Sequence, residues 1–107
     1  MLYEYRRYET LPGQLTRLNA RFADVTLPLW RAHGIRQVGF WEPVVGASNE
    51  LHYILEWKDM AERDRVWSAF HSDPDWLEAR AQSEEVGQLI GRIFNSFWKP
   101  TYYSQLK

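Results

Sequence analysis

The stretch that decides the fold runs from Leu51 to Trp76 and reads LHYILEWKDMAERDRVWSAFHSDPDW. Large apolar side chains recur at every second position from Leu51 to Trp57, a pattern that is typical of a half-buried strand. Asp59 lies three residues before Glu62, which is the spacing of a capping box at the start of a helix. The stretch therefore predicts a strand that is followed at once by a capped helix.

The second half of this stretch predicts two consecutive helices. Four side chains share one face of the first helix: Met60, Arg63, Trp67 and Phe70. The triplet Ser72-Asp73-Pro74 ends that helix and begins another, because Asp73 can cap a helix and Pro74 fits its first turn. We expect the two helices to cover about residues 59–71 and 74–86.

The chain before this stretch predicts a strand, a helix and a second strand. Residues 2–9 alternate as in a strand, and residues 14–33 carry apolar side chains at helical spacing. Pro28 removes one backbone donor, so we expect this helix to be kinked near residues 24–28. Residues 35–45 predict the second strand.

A last strand over residues 92–98 completes the order β-α-β-β-α-β. This order is that of an α+β, ferredoxin-like sandwich, in which an antiparallel sheet carries both helices on one face. Here the second helix is split in two. With no linker or internal repeat in view, we expect residues 1–107 to form a single domain.

The sheet face without helices is expected to be the surface of a homodimer. The strand alternation assigns charged and apolar side chains together to that face: Glu4, Arg6, Phe40, His52, Ile54 and Glu56. Such a surface is too apolar for water and too charged for a dry core. A second copy that packs sheet against sheet would cover it.

Composition excludes several classes of partner and compartment. The formal net charge is −1, with acidic and basic residues interspersed, so the chain lacks the basic field that binds nucleic acid. It has no cysteine, which excludes disulfides and fits a reducing compartment. Charged residues interrupt any apolar run near the N-terminus, so we expect neither a signal peptide nor a membrane span there. We expect a soluble, cytoplasmic protein.

Six Trp, six Tyr and five Phe make the chain rich in aromatic residues, which favour pockets and interfaces. The strand alternation assigns five of them to the helix-facing side: Tyr3, Tyr5, Trp41, Tyr53 and Trp57. Trp30, His33 and Trp67 would join them from the helices. Aromatic walls with a few hydroxyls and one imidazole describe a pocket for a small molecule. The alternative is an ordinary aromatic core.

The titratable residues do not form a recognised catalytic or metal-binding motif. His33, His52 and His71 lack the short spacing of metal ligands, so no metal or other cofactor is expected. Glu4, Arg6 and Glu56 would lie on neighbouring strands. They form either a satisfied ion cluster or a group with shifted pKa values that supports acid–base catalysis.

Several segments together resemble the NIPSNAP proteins, which belong to the dimeric α/β-barrel superfamily. The resemblance covers nearly the whole chain and is carried by these segments: YEYRRYETLPG (3–13), HGIRQVGFW (33–41), NELHYILEWKDMAERDR (49–65), DPDW (73–76) and NSFWKP (95–100). One departure is Tyr53, which stands where many members have a histidine. The role of that family histidine is therefore not transferred to this chain.

The resemblance implies a ferredoxin-like protomer, a dimer whose two sheets form a barrel, and a pocket for a small apolar or aromatic molecule between sheet and helices. Small single-domain members are typically bacterial and have no settled activity. Two alternatives remain open. One is a cofactor-independent monooxygenase or isomerase that uses Tyr53, His33 or Trp41. The other is an interaction module that docks a partner through Tyr102 and Tyr103.

Overall fold

Four strands form one antiparallel sheet in the computed structural model, which describes residues 1–107 of the chain. The strands are β1 (Leu2–Thr10), β2 (Arg36–Trp41), β3 (Glu50–Trp57) and β4 (Ile90–Trp98). They lie in the order β2-β3-β1-β4, so that β1 and β3 are central. The sheet is not closed, and β2 and β4 are its edges.

Three helices connect the strands, and the first of them has three parts. These parts are α1 (Leu15–Arg21), a π-helical segment (Phe22–Thr26) and α2 (Leu27–His33). The other two helices are α3 (Met60–His71) and α4 (Pro74–Ser83), which are separated only by Ser72 and Asp73. The predicted ferredoxin-like class with a split second helix is confirmed.

The predicted irregularity in the first helix takes the form of the π-helical segment. Pro28 has no N–H group and cannot complete a regular helical ladder. The backbone N–H of Leu27 donates to the carbonyl of Phe22, five residues earlier. This wider turn lets the helix continue through the proline, and it re-aims the chain between Arg21 and Leu27.

The predicted helix caps are present as hydrogen bonds. Asp59 Oδ1 accepts from the N–H of Glu62 at 2.8 Å. The Glu62 carboxylate reaches back to the N–H of Lys58 at 3.0 Å, one residue before the predicted partner. Asp73 Oδ1 accepts from the N–H of Asp75 at 2.9 Å. These bonds fix where α3 and α4 begin.

Three predicted boundaries were wrong. Residues 42–49 form a loop instead of extending β2, in keeping with Pro43 and the Gly46-to-Asn49 turn sequence. Helix α4 ends at Ser83 and not near residue 86. Strand β4 begins at Ile90, two residues earlier than predicted. The effect is a longer edge strand beside β1.

The core between sheet and helices is aromatic. Trp30 from α2 and Phe70 from α3 pack against Tyr53 and Trp57 of β3, and all four are buried. Phe22, in the π-helical segment, makes edge-to-face contacts with Trp30, Phe40 and Tyr53 at 5.1–5.7 Å between centroids. Pairs of this geometry stabilise a core beyond the area that they bury.

The predicted orientation of β1 was wrong. Its register pairs Glu4 with Leu55 and Arg6 with Tyr53, so Glu4 and Arg6 face the helices. Tyr3 and Tyr5 lie on the opposite, open face. The pattern misled because charged residues are expected outside, whereas here Glu4 and Arg6 neutralise each other within the core at 2.8 Å.

The predicted orientation of β2 was also wrong. The register shifts between Gln37 and Gly39, which changes the alternation after the bulge. Phe40 therefore faces the helices and stacks on Tyr53 at 4.6 Å between ring centroids. Trp41 faces the other way and its indole covers Gly39, where an added Cβ would lie 2.8 Å from the ring.

Candidate functional site

A buried carboxylate forms the centre of the polar network between sheet and helices. Glu4 is fully buried and accepts hydrogen bonds of 2.8–3.1 Å from five N–H donors on three strands and a helix. Arg63 of α3 binds both carboxylate oxygens, each at 3.1 Å. The other donors are Arg6, Trp57 and Asn95. The network therefore ties α3 to the sheet.

Arg6 extends the network to two tyrosine hydroxyls. Its Nε donates to Tyr53 Oη at 2.7 Å, and its Nη2 donates to Tyr8 Oη at 3.3 Å. The two hydroxyl groups also share a hydrogen bond of 2.7 Å. The Arg6 guanidinium lies 4.8 Å from the Trp67 ring, within range of a cation–π contact. Arg6 is thus satisfied inside the protein.

The environment of this network sets the protonation of two of its members. Burial opposes ionisation of Glu4, but hydrogen bonds from Arg63 and the charge of Arg6 outweigh it and lower the pKa of the carboxyl. Burial and the neighbouring Tyr8 raise the pKa of Tyr53 well above its ordinary value, although Arg6 acts in the opposite direction. At neutral pH Glu4 is ionised and Tyr53 is protonated.

A cleft lies beside this network, between the sheet and the helices. Its volume is about 660 Å³, and its walls come from β1, the end of α1, α4 and the start of β4. Its cationic and aromatic lining residues include Arg6, Tyr8, Arg21, His71, Trp76 and Arg80. Ile90 and Ile93 of β4 add apolar surface. The cleft is therefore apolar along part of its wall and strongly basic elsewhere.

The eight residues predicted to line one pocket do not lie together. Trp30, Tyr53 and Trp57 are buried in the aromatic core, and Trp67 packs beside them. Tyr3, Tyr5 and Trp41 lie on the other side of the sheet. His33 ends α2 and shares a 2.7 Å hydrogen bond with Asp73. None of the eight lines the 660 Å³ cleft.

Sequence reasoning missed the helical residues of this cleft, but a signal was present. Arg21 follows Leu18 by three residues and precedes Val25 by four, which places it on the apolar stripe of the first helix. A charged residue in that position requires a partner or a site. On α4, Arg80 follows Trp76 by four residues, which places a charged residue on the same helix face as an aromatic one.

The open face of the sheet carries its own polar chain. Tyr5 Oη and His52 Nδ1 share a hydrogen bond of 2.6 Å, and His52 Nε2 lies 3.0 Å from Glu50 Oε1. The Tyr5 ring stacks on Trp98 at 4.9 Å between centroids. Within the chain His52 therefore pairs with Glu50.

The six residues predicted for the dimer surface are divided between the two faces. His52, Ile54 and Glu56 lie on the open face as predicted, and Glu56 accepts from Arg36 at 3.2 Å. Glu4, Arg6 and Phe40 face the helices. The C-terminal segment, residues 99–107, lies over part of the open face, where Pro100 and Leu106 border a small pocket with Tyr3, Ile54 and Trp98.

Two further observations concern metals and membranes. No three His, Cys, Asp or Glu side chains lie close enough to hold a metal ion together. None of the helices has the length and the apolar composition needed to cross a membrane.

The strand order and the helix layer define an α+β protein of the ferredoxin-like class with a cleft between its layers. A sequence profile of the NIPSNAP family matches residues 3–105. The chain belongs to the NIPSNAP family. No curated protein matches it.

Solved structures of bacterial proteins share the fold. The NIPSNAP family protein Atu4242 of Agrobacterium tumefaciens, of unknown function, is 24% identical, with a TM-score of 0.88 over the full length of both chains. A second Agrobacterium tumefaciens protein of the family, Atu5224, is 16% identical, with a TM-score of 0.88 over 99% of this chain and 98% of its own. An uncharacterised NIPSNAP-like domain protein from Burkholderia xenovorans is 20% identical, with a TM-score of 0.85 over 96% and 87%. At these identities the similarity shows the fold alone.

Replacing the buried carboxylate should destabilise the protein strongly. In Glu4→Gln the buried Arg6 loses its only counter-charge and the partly buried Arg63 keeps only the exposed Asp64, so we expect the free energy of unfolding to fall by about 3–5 kcal/mol. Urea denaturation at neutral pH measures this change. Glu56→Gln is the matched control, because Glu56 binds an exposed arginine, and such pairs contribute about 1 kcal/mol or less. Equal losses in the two variants would contradict the central role of Glu4.

The lowered pKa of Glu4 predicts that the stability difference between the wild type and Glu4→Gln depends on pH. Because the folded-state pKa of Glu4 is lowered from its ordinary value of 4.5, its stabilising effect is complete above that value and is lost as the pH falls through the folded-state pKa. We expect the stability difference between wild type and Glu4→Gln to be constant near neutral pH and to shrink below about 4.5. Urea denaturation as a function of pH tests this. A difference that widens on acidification would overturn the assignment.

Proposed function

We propose that this NIPSNAP protein is a homodimer that holds a small molecule in the cleft between sheet and helices. The observation that carries the proposal is the cleft itself, whose volume of about 660 Å³ lies within the range of roughly 300–1,000 Å³ for small-molecule sites. The proposal includes a cytoplasmic location, since a chain without cysteine fits a reducing compartment. It also includes a single domain over residues 1–107.

The walls of the cleft support a ligand with an aromatic or apolar part. Trp76 and Tyr8 offer ring surfaces, and Ile93 is half exposed toward the cleft. Tyr8 is held in place by its hydroxyl, which bonds both Tyr53 and Arg6. Preorganised walls of this kind bind a ligand at a lower cost in conformational entropy.

The open face of the sheet supports the dimer. Trp41, Phe94 and Trp98 present large aromatic surfaces there and are each more than a third exposed. The Arg7 guanidinium lies 4.1 Å from the Phe94 ring centroid, so its charge is stabilised by a cation–π contact. An apolar face with a few organised charges suits a second copy better than it suits water.

Binding is better supported than catalysis. The three residues that an enzyme of this superfamily would use do not meet: Tyr53 is in the core, His33 pairs with Asp73, and Trp41 lies on the open face. The hydroxyl of Tyr53 is already bonded to Arg6 and Tyr8. An interaction role for Tyr102 and Tyr103, which are exposed, has no further observation in its favour.

The dimer predicts a specific effect of charge on the open face. Size-exclusion chromatography with light scattering should give twice the chain mass for the wild type at micromolar concentration. Trp41→Arg should shift the protein to the monomer, because a charge at the interface is left without a partner. Leu77→Arg is the control, since Leu77 on α4 is 50% exposed and Trp41 is 51% exposed. A monomeric wild type would refute the dimer.

The ligand predicts an adduct that depends on the cleft. Native mass spectrometry of the protein from its own host should show a retained small molecule that denaturation releases. Ile93→Trp should abolish retention, because the larger ring occupies the cleft. Phe94→Trp is the control, since the next residue of the strand lies on the open face. Equal retention in both variants would place the ligand elsewhere. A bare wild type that also fails to bind any member of a fragment library would refute the proposal.

A further inference from the structure

The charges that line the cleft are unevenly paired. Arg6 lies 2.8 Å from Glu4, which also binds Arg63, and Arg92 lies 3.1 Å from Glu9. Two other arginines, Arg21 and Arg80, share a single carboxylate, that of Glu84. Arg21 lies 3.5 Å and Arg80 lies 3.9 Å from the oxygens of Glu84. Since Glu84 is the only acidic residue among the lining residues, the cleft retains positive charge that the chain does not neutralise.

Arg21 is the buried member of this pair, and its hydrogen bonding is incomplete. Its side chain is only 6% exposed. Within the chain it donates through Nη1 alone, to Ser83 Oγ at 3.2 Å and to Glu84 Oε1 at 3.5 Å. Its Nε is buried without a partner. A guanidinium has several N–H donors, and a buried charged group with unused donors is costly unless an acceptor reaches it.

One neighbour of Arg21, Trp76, adds to this excess of donors. The Trp76 ring lies 5.4 Å from the Arg21 guanidinium, and its indole N–H is buried without an acceptor. His71 also lines the cleft, and partial burial together with the charges of Arg6, Arg80 and Arg63 lowers its pKa. The local electrostatic field is therefore positive.

We propose that the ligand of the cleft is an amphipathic anion, with a carboxylate or phosphate group held by Arg21 and Arg80 and an apolar part against Trp76 and Ile93. The inference rests on the proposed ligand-binding function and specifies the chemical class of that ligand. An oxyanion supplies an acceptor for Arg21 Nη2, which has none within the chain, and for Arg80, and guanidinium groups match its planar or tetrahedral geometry. Arg80 is half exposed, so it can move onto an entering anion.

The test compares three probes with the same ring: phenylacetate, phenyl phosphate and the neutral phenylacetamide. Isothermal titration calorimetry of the wild-type protein should give binding of at least one anion about tenfold or more tighter than that of the amide. The anion with the higher affinity identifies the head group as carboxylate or phosphate. Raising the salt concentration should weaken anion binding and leave the amide unaffected.

Two substitutions assign the binding to the arginines. Arg21→Gln is the direct variant, but Arg21 is buried, so this substitution is expected to destabilise the protein as well. Arg80→Gln is exposed and should weaken the preferred anion about tenfold while thermal stability is unchanged. Arg65→Gln is the control, because Arg65 is exposed on α3 and does not line the cleft. Its affinity for the anion should equal that of the wild type.

The outcomes separate this inference from the proposed function. If the amide binds as tightly as both anions, or if Arg80→Gln and Arg65→Gln have the same affinity, the cleft binds small molecules but does not select anions. A retained adduct that proves to be neutral overturns the inference in the same way. If no probe binds and the protein from its host carries no adduct, the inference and the ligand-binding function fall together.

Discussion

The buried carboxylate of Glu4 is the constraint on which the rest of the structure depends. A carboxylate in the core is stable only if its charge is matched and its oxygens are bonded. Arg63 supplies both requirements from α3, and Arg6 supplies a second cation from the same strand. Trp57 and Asn95 complete the set from the strands on either side. One side chain thus fixes the position of a helix above three strands.

The position of α3 decides where the cleft can form. Arg63 holds α3 above the centre of the sheet, so the helix-facing side of the edge strand β4 is left partly uncovered, and Ile93 and Phe97 remain exposed there. Helix α4 follows α3 after only two residues and passes beside this gap. The first helix reaches the same region at Arg21, its last residue before the π-helical segment. The cleft is the space that remains between these elements.

Local sequence patterns determined most of the fold and little of the site. Strand β3, the caps at Asp59 and Asp73, and the irregularity at Pro28 each depend on a few neighbouring residues, and each was predictable. The faces of β1 and β2 were not. Burial of Glu4 depends on Arg63, 59 residues away, and the bulge before Gly39 depends on pairing with β3. Predicting the cleft would have required knowing which side chains of β1 and β2 face the helices.

The formal net charge of −1 indicates no affinity for anions, yet a local basic site arises because folding distributes the counter-charges unequally. Glu4 lies between two arginines in the core, and Glu9 lies beside Arg92 at the sheet edge. Neither of these acidic residues is paired with Arg21 or Arg80. Arg21 and Arg80 are left to share Glu84. Unequal pairing inside the fold, and not overall composition, is therefore the basis of the proposed preference of the cleft for anions.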